Sequence, residues 1–130
     1  MHDDPRSPAD FAVLVVEDQP DVALSLRIFI ELACGYRVTV AHDGQAGIDA
    51  ALRDRPDAIL CDIGLPKKDG FAVAAEVTRA LPDKPLLIAV SGYAEDEYVA
   101  RARRAGYDDY LVKPADPHMV VGLLRARAGR

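Results

Sequence analysis

The stretch Ala58-Ile59-Leu60-Cys61-Asp62 decides the fold of this 130-residue chain. Its four apolar residues predict a buried strand, and that strand ends in a carboxylate. A loop with two glycines and a proline, residues 63–70, follows directly. Three other apolar runs also end in polar side chains, namely 13–16 before Glu17 and Asp18, 86–90 before Ser91, and 110–112 before Lys113. Together the four runs predict a sheet with polar groups gathered at one edge.

Strand-like and helix-like segments alternate along the whole chain. The predicted strands cover residues 12–17, 36–40, 58–62, 86–90 and 110–112. The predicted helices cover 20–33, 71–81 and 94–105, with another between Gly44 and Pro56 and a last one from Pro117. This alternation predicts an α/β fold, a doubly wound five-stranded parallel sheet with helices on both faces.

Two of these segments carry a more detailed prediction. Residues 36–40 alternate strictly between apolar and polar side chains, which indicates an edge strand or a half-exposed one. The first helix has apolar residues at helical spacing, which predicts that one face packs on the sheet. The residues of that predicted face are Val22, Leu26, Phe29, Ile30 and Ala33.

Length and composition limit the class of protein. The chain suits one domain with one core, preceded by a disordered leader at residues 1–10. The formal net charge of −5 argues against a nucleic-acid partner. No apolar run is long enough for a transmembrane helix, and the N-terminus lacks the pattern of a signal peptide. Cys34 and Cys61 lack metal-ligand spacing, which favours reduced thiols in a cytoplasmic protein.

The carboxyl ends of the predicted strands carry the residues of chemical interest. Ligands of doubly wound sheets bind outside these ends, where Glu17, Asp18 and Asp62 would meet. Packed carboxylates repel unless a cation is bound or a pKa is raised, and hard oxygen ligands suit Mg²⁺. Taken singly, each acid could equally be a helix cap or a turn residue.

Two further strand ends would complete such a site. Ser91 could donate a hydrogen bond to a phosphoryl group on Asp62, although a hydroxyl beside a glycine is also common in turns. Lys113 could pair with a carboxylate or a phosphate, although most lysines are solvated. Pro114 makes the preceding peptide bond a candidate for the cis form.

Taken in order, these motifs resemble those of the receiver domain of two-component response regulators, over about residues 11–128. The matching motifs are 15–18 (Val-Val-Glu-Asp), 62–66 (Asp-Ile-Gly-Leu-Pro) with Asp69-Gly70, Ser91-Gly92, and 110–114 (Tyr-Leu-Val-Lys-Pro). The resemblance implies the flavodoxin-like (βα)5 receiver fold with strand order 2-1-3-4-5. It also implies that a histidine kinase or a histidine phosphotransfer protein phosphorylates Asp62.

The resemblance assigns roles to the other motif residues. Asp18 would contact Mg²⁺ directly, Glu17 through water, and the backbone carbonyl of Gly64 would be a further ligand; Mn²⁺ could replace Mg²⁺. Glu17 stands where an aspartate is more usual. The remaining roles are Ser91 as the switch hydroxyl, Tyr110 as the switch aromatic, and Lys113 as the lysine that precedes the cis proline.

Alternatives and partners remain open on the sequence. An aspartate-based phosphohydrolase usually has a second acid two residues after its nucleophile, and Gly64 stands there, so no enzyme activity beyond slow autophosphatase is expected. No output domain fits after Leu124, which favours a single-domain regulator or a receiver excised from a hybrid histidine kinase. Leu24 and Ile28 could be surplus apolar residues of the core or a docking patch for a helical phosphodonor. Met119 and Leu123 would serve a homodimer or an unknown downstream protein.

Overall fold

The computed structural model describes residues 7–129. Its strands are β1 (Ala12–Val16), β2 (Arg37–Ala41), β3 (Ala58–Asp62), β4 (Leu86–Ser91) and β5 (Asp109–Val112). Its α-helices are α1 (Pro20–Cys34), α2 (Gly44–Asp54), α3 (Gly70–Ala80), α4 (Asp96–Ala105) and α5 (Pro117–Ala128). All paired strands are parallel, in the order β2-β1-β3-β4-β5. The predicted fold class and strand order are confirmed.

The core has two halves, one on each face of the sheet. Successive side chains of a strand point to opposite faces, so Val13 and Val15 pack with α1 and α5, whereas Leu14 and Val16 pack with α2 and α3. β3 and β4 are buried at every residue because helices cover both of their faces. β2 lies at an edge of the sheet and alternates between exposed and buried residues, as its sequence predicts.

Short polar side chains and a glycine set the helix boundaries. The carboxylates of Asp43, Asp69 and Asp116 each accept a hydrogen bond from a backbone N–H in the first turn of the helix that follows. Gly35 ends α1 in the left-handed conformation, with φ of 76°. Within residues 7–129, no helix combines the length and the apolar character needed to cross a bilayer.

The structure corrects two sequence predictions. Of the predicted disordered leader, residues 1–6 lie outside the described residues, but Pro8–Asp10 forms a 3-10 helix. The carboxylate of Asp10 accepts a hydrogen bond from the Ser7 N–H, and Arg37 donates one to the carbonyl of Ala9. These contacts, one of them to a residue distant in sequence, order a segment that has no apolar periodicity of its own.

The second correction concerns the face that α1 turns towards the sheet. Val22 is 40% exposed and Ala33 is exposed, whereas Ala23 is buried at 1% exposure and Ile30 at 0%. Apolar residues occur almost all round this helix, so its sequence has no unique apolar stripe. Tertiary packing decides the rotation of the helix, and it selects the small side chain of Ala23 for the close approach.

Gly44 allows α2 to lie against the loop that follows β3. Its N–H donates a hydrogen bond to the carbonyl of Pro66, and a Cβ at this position would overlap the carbonyl oxygen of Lys68. We expect Gly44→Ala to lower the free energy of unfolding by about 1–3 kcal/mol, because backbone must shift to admit the methyl group. Urea denaturation measures this change.

Gly122 provides the matched control for this substitution. It lies within α5, and a Cβ there would meet nothing within 4 Å. Gly122→Ala should therefore stabilise the protein, by about 0.5–1 kcal/mol, because alanine loses less backbone entropy in a helix. Equal effects of the two substitutions would contradict the proposed overlap at Gly44.

Candidate functional site

Three carboxylates meet at the carboxyl edge of the sheet. Glu17 and Asp18 follow β1, and Asp62 ends the neighbouring strand β3, where Val16 pairs with Cys61. One oxygen from each carboxylate lies within 4.8 Å of the other two. Glu17 and Asp62 are 4% and 6% exposed, whereas Asp18 is open to solvent. The parallel register thus brings together acids that are separated by more than forty residues in the chain.

Lys113 supplies the positive charge of this cluster. Its Nζ donates a hydrogen bond of 2.7 Å to Oδ2 of Asp62 and lies 3.9 Å from Oε1 of Glu17. The Lys113–Pro114 peptide bond is cis, and the Lys113 N–H donates to the carbonyl of Ser91 at 2.8 Å. Burial alone would lower the pKa of Lys113, but the hydrogen bond and charge of Asp62 outweigh it, and the pKa is raised. The side chain is therefore a fixed ammonium group.

The pKa of Glu17 reflects both its burial and the neighbouring carboxylates. Burial raises the pKa of Glu17, the hydrogen bond from the Gln19 N–H opposes that rise, and the neighbouring acids Asp18 and Asp62 add to it. One ammonium group faces three carboxylates at this edge, which leaves an excess of negative charge. A divalent cation would compensate that excess.

The donor set fits magnesium. Carboxylate oxygens are the ligands that Mg²⁺ prefers, and the exposed side of Asp18 leaves space for the water molecules that this ion usually retains. Gly64 lies beside the cluster, since its N–H donates a hydrogen bond of 3.0 Å to Oδ1 of Asp62. That bond and the one from Lys113 occupy different oxygens of the same carboxylate, and so they fix its orientation.

Ser91, at the end of β4, and Tyr110, in β5, both form hydrogen bonds with the backbone of Tyr93. Ser91 is 2% exposed, and its Oγ accepts a hydrogen bond from the Tyr93 N–H at 3.1 Å. The Tyr110 hydroxyl donates to the Tyr93 carbonyl at 2.6 Å. The ring of Tyr93 stacks on that of Tyr98 in α4, with centroids 4.7 Å apart. The backbone of Tyr93 thus connects Ser91, Tyr110 and α4.

An apolar groove of about 740 Å³ opens beside the cluster, between α1 and α5. Val22, Leu26 and Phe29 line its α1 side, and the lining also includes Glu17, Asp62 and Lys113. This groove explains why Val22 is not covered in the core.

The predicted partner residues lie on the two helices that border this groove. Leu24 and Ile28 of α1 are 52% and 45% exposed. On α5, Met119 is 54% exposed, whereas Leu123 is partly buried against the core. Leu123 therefore offers less surface to a partner than Met119 does, because part of its side chain packs against the core.

One residue near the cluster, Tyr107, has a contact that the sequence does not predict. The Tyr107 hydroxyl, buried at 4% exposure, donates a hydrogen bond of 2.7 Å to the carbonyl of Gly70, the first residue of α3. Burial raises the pKa of Tyr107 well above its usual range, so the hydroxyl is a permanent donor. The only sequence signal is a tyrosine that follows Gly106 at the end of α4, which does not indicate where the hydroxyl points.

A comparison with protein families shows which family has this fold. The family model described as the response regulator receiver domain matches residues 13–125. The chain belongs to this family. The match covers residues of all five strands, together with the acidic cluster and Lys113.

Individual relatives agree with this assignment. An uncharacterized 14.6 kDa protein of Leptolyngbya boryana is 36% identical over 119 residues, covering 90% of this chain and 89% of that protein. The response regulator MprA of Mycobacterium avium is 37% identical over 114 residues, which are 88% of this chain but 49% of MprA. The receiver chain thus spans about half the length of MprA.

Solved structures show the same architecture. The CheY-like response regulator receiver domain protein from Methanospirillum hungatei is 25% identical, with a TM-score of 0.81, covering 91% of this chain and 96% of that one. The N-terminal domain of a Wolinella succinogenes protein is 28% identical, with a TM-score of 0.84, covering 92% and 94% respectively.

Proposed function

We propose that this receiver takes a phosphoryl group onto Asp62, from a histidine kinase or a histidine phosphotransfer protein, in a reaction that requires Mg²⁺. The observation that carries the proposal is the Asp62 carboxylate itself. It is held by Lys113 on one oxygen and by the Gly64 N–H on the other, within reach of two further acids. Phosphoryl transfer needs this kind of positioning and charge compensation more than it needs covalent chemistry from the protein.

The reaction forms one bond and breaks one. An oxygen of Asp62 attacks the phosphorus in line, and the bond from phosphorus to the donor nitrogen breaks, with the electron pair leaving on the imidazole of the donor. Bound to Glu17, Asp18 and Asp62, with the Gly64 carbonyl as a further ligand, Mg²⁺ or Mn²⁺ would neutralise charge on the phosphoryl oxygens. Lys113 gives up part of its contact with Asp62 and pairs with a phosphoryl oxygen.

The new phosphoryl group would act on Ser91 and Tyr110. When the Ser91 hydroxyl turns to donate to a phosphoryl oxygen, it leaves the Tyr93 N–H, and the loop that joins β4 to α4 can move. Tyr110, bonded to the same residue, follows into the space behind Ser91. The α4-β5-α5 surface then shifts between two packings, which is a change of population driven by differential contacts. A downstream protein would bind this surface.

The competing function, an aspartate-based phosphohydrolase, finds no support at the expected position. Such an enzyme would need an acid or base two residues after Asp62, and Gly64 has no side chain to offer. Turnover beyond slow loss of the phosphoryl group is therefore not part of the proposal. A cytoplasmic location is part of it, and the free thiols of Cys34 and Cys61 support this location.

The dependence on magnesium tests the proposal. With a small phosphodonor such as acetyl phosphate and excess Mg²⁺, the intact mass should rise by one phosphoryl group. Removal of the metal by a chelator should prevent the rise, and Asp18→Asn should raise the concentration of Mg²⁺ needed for half-maximal rate. A rate that is the same with and without the metal would contradict the proposed role of the acidic cluster.

The surface of α1 gives a separate prediction about the protein partner. Leu24 and Ile28 are exposed on α1, the helix whose Val22 and neighbours line the groove beside Asp62, and a helical phosphodonor would pack on this exposed apolar pair. We expect Leu24→Ser with Ile28→Ser to slow transfer from the cognate phosphodonor protein by roughly tenfold or more, about the loss that truncating interface anchors brings. Transfer from acetyl phosphate should be unchanged.

Leu32 offers the control on the same helix. It is 83% exposed and lies two turns beyond Leu24, away from the carboxyl edge. Leu32→Ser should leave both transfer rates as they are. If it slowed protein-mediated transfer as much as the double substitution, the docking patch would extend along the whole helix and the assignment to Leu24 and Ile28 would be wrong. Met119 on α5 remains the proposed contact for a second copy of the chain or for the downstream protein.

A further inference from the structure

Tyr107 links two parts of the receiver that the proposed function treats separately. It lies in the turn between α4 and β5, where its N–H donates to the carbonyl of Ala102 in the last turn of α4. Its ring is buried in the half of the core formed with α2, α3 and α4, and its hydroxyl reaches the carbonyl of Gly70 at 2.7 Å. One residue thus contacts the end of α4 through its backbone and the start of α3 through its side chain.

Gly70 lies directly against the backbone of the phosphoacceptor. Its N–H donates to the carbonyl of Ile63 at 2.8 Å, which closes the acceptor loop (residues 63–69). A Cβ on Gly70 would lie 2.7 Å from both the carbonyl oxygen of Asp62 and the Cα of Ile63, so the two segments are in tight contact. Any displacement of the Gly70 carbonyl therefore displaces the backbone that carries Asp62.

Cys61 packs in the same half of the core as Tyr107 and makes a further contact at the acceptor backbone. Its Sγ donates a hydrogen bond of 3.3 Å to the carbonyl of Asp62. Cys61 is fully buried, so water does not compete for this bond. The Tyr107 hydroxyl thus reaches the acceptor backbone through Gly70, in a part of the core that is closed to solvent.

We propose that Tyr107 is a positioning residue, whose buried hydroxyl couples the backbone at Asp62 to the carboxyl-terminal end of α4. The proposal rests on the function proposed above and adds a route that does not pass through Ser91 and Tyr110. Movement of the acceptor loop on phosphorylation pulls on the Gly70 carbonyl, and the hydrogen bond transmits the movement to the turn that ends α4. By linkage, the position of α4 also changes how readily Asp62 accepts a phosphoryl group.

The substitution Tyr107→Phe removes the hydroxyl and keeps the ring in place. We expect the amide resonances of Ile63 and Gly64 to shift in the unphosphorylated protein, and the rate of phosphorylation by acetyl phosphate to fall by about 3-fold or more, the size of effect seen for coupling residues. Hydrogen exchange of the α4 amides should change when the protein is saturated with Mg²⁺ and beryllofluoride, a phosphoryl analogue. In Tyr107→Phe, this change should be at most half as large as in the wild type. A residue that only contributes to stability would lower the melting temperature and leave this last difference intact.

Tyr36→Phe is the matched control. Tyr36 is also 4% exposed, but it packs in the other half of the core, next to Phe11. This substitution should leave all three measurements unchanged. The proposal is overturned if Tyr107→Phe gives unshifted amides at Ile63 and Gly64, or if its exchange difference in α4 equals that of the wild type or of Tyr36→Phe.

A measurement on the unaltered chain decides the same point without a variant. The Tyr107 hydroxyl proton, protected by burial, should give a resonance that shifts when Mg²⁺ and beryllofluoride bind. A resonance that stays in place while the amide of Asp62 moves would overturn the coupling. A wild-type chain in which beryllofluoride moves no amide at all would instead overturn the function proposed for Asp62, so the two failures are distinguishable.

Discussion

Asp62→Asn should abolish phosphorylation by both acetyl phosphate and a phosphodonor protein. Asparagine has nearly the same shape, and its side-chain oxygen can still accept the hydrogen bond from the Gly64 N–H, so the fold should survive. An amide, however, is not a nucleophile at neutral pH and cannot form the acyl phosphate. Intact-mass measurement after incubation with acetyl phosphate and Mg²⁺ should show no phosphoryl group on the variant.

Asp69→Asn gives the comparison for this substitution. Asp69 lies in the same loop region, and its carboxylate caps α3 by accepting from the Ala72 N–H, a role that asparagine also fills well. The variant should be phosphorylated at the wild-type rate. Persistent phosphorylation of Asp62→Asn at an undiminished rate would mean that another residue is the acceptor.

Lys113→Met is the second substitution for which we expect a large effect. It keeps the length of the side chain but removes the ammonium group that lies 2.7 Å from Asp62. The rate of phosphorylation should fall by about 100-fold, the loss that follows when one charge-stabilising donor is removed from a reaction centre. Binding of Mg²⁺ should tighten at the same time, because the ammonium group no longer repels the metal from the three acids.

Slower phosphorylation combined with tighter Mg²⁺ binding would distinguish a catalytic role of Lys113 from a structural one. Lys84 provides the control, since its Nζ lies 2.6 Å from Asp108 in a similar pair near the opposite edge of the sheet. Lys84→Met should affect neither phosphorylation nor Mg²⁺ binding. Equal losses in both lysine variants, or weaker Mg²⁺ binding in Lys113→Met, would show that general destabilisation explains the result.

The parts of the site that could be predicted from sequence are those that strand ends define. Asp62, Glu17 and Lys113 each directly follow or end an apolar run, and parallel strands bring such ends to one edge whatever the details of packing. The burial of β3 could be predicted because a continuous apolar run is typical of a strand that is covered on both faces. The alternation of β2 could be predicted because successive side chains of a strand point to opposite faces. The family resemblance added the strand order, which periodicity alone does not determine.

The parts that could not be predicted depend on tertiary contacts. The rotation of α1 is one example: apolar residues surround the helix, and only packing selects Ala23 over Val22 as the buried residue. The hydrogen bond from Tyr107 to Gly70 joins residues that are 37 positions apart, and no local pattern reports on it. Order at Pro8–Asp10 likewise comes in part from Arg37, a residue in another element.

The most direct test is to locate the phosphoryl group on the wild-type chain. After incubation with acetyl phosphate and Mg²⁺, reduction with borohydride converts an aspartyl phosphate to homoserine, and peptide mass mapping identifies the altered residue. We expect a single modified position, Asp62, in protein treated with the metal, and none in protein treated with a chelator. A modification at Glu17, at Asp18 or outside the cluster, or no modification in the presence of Mg²⁺, would contradict the account.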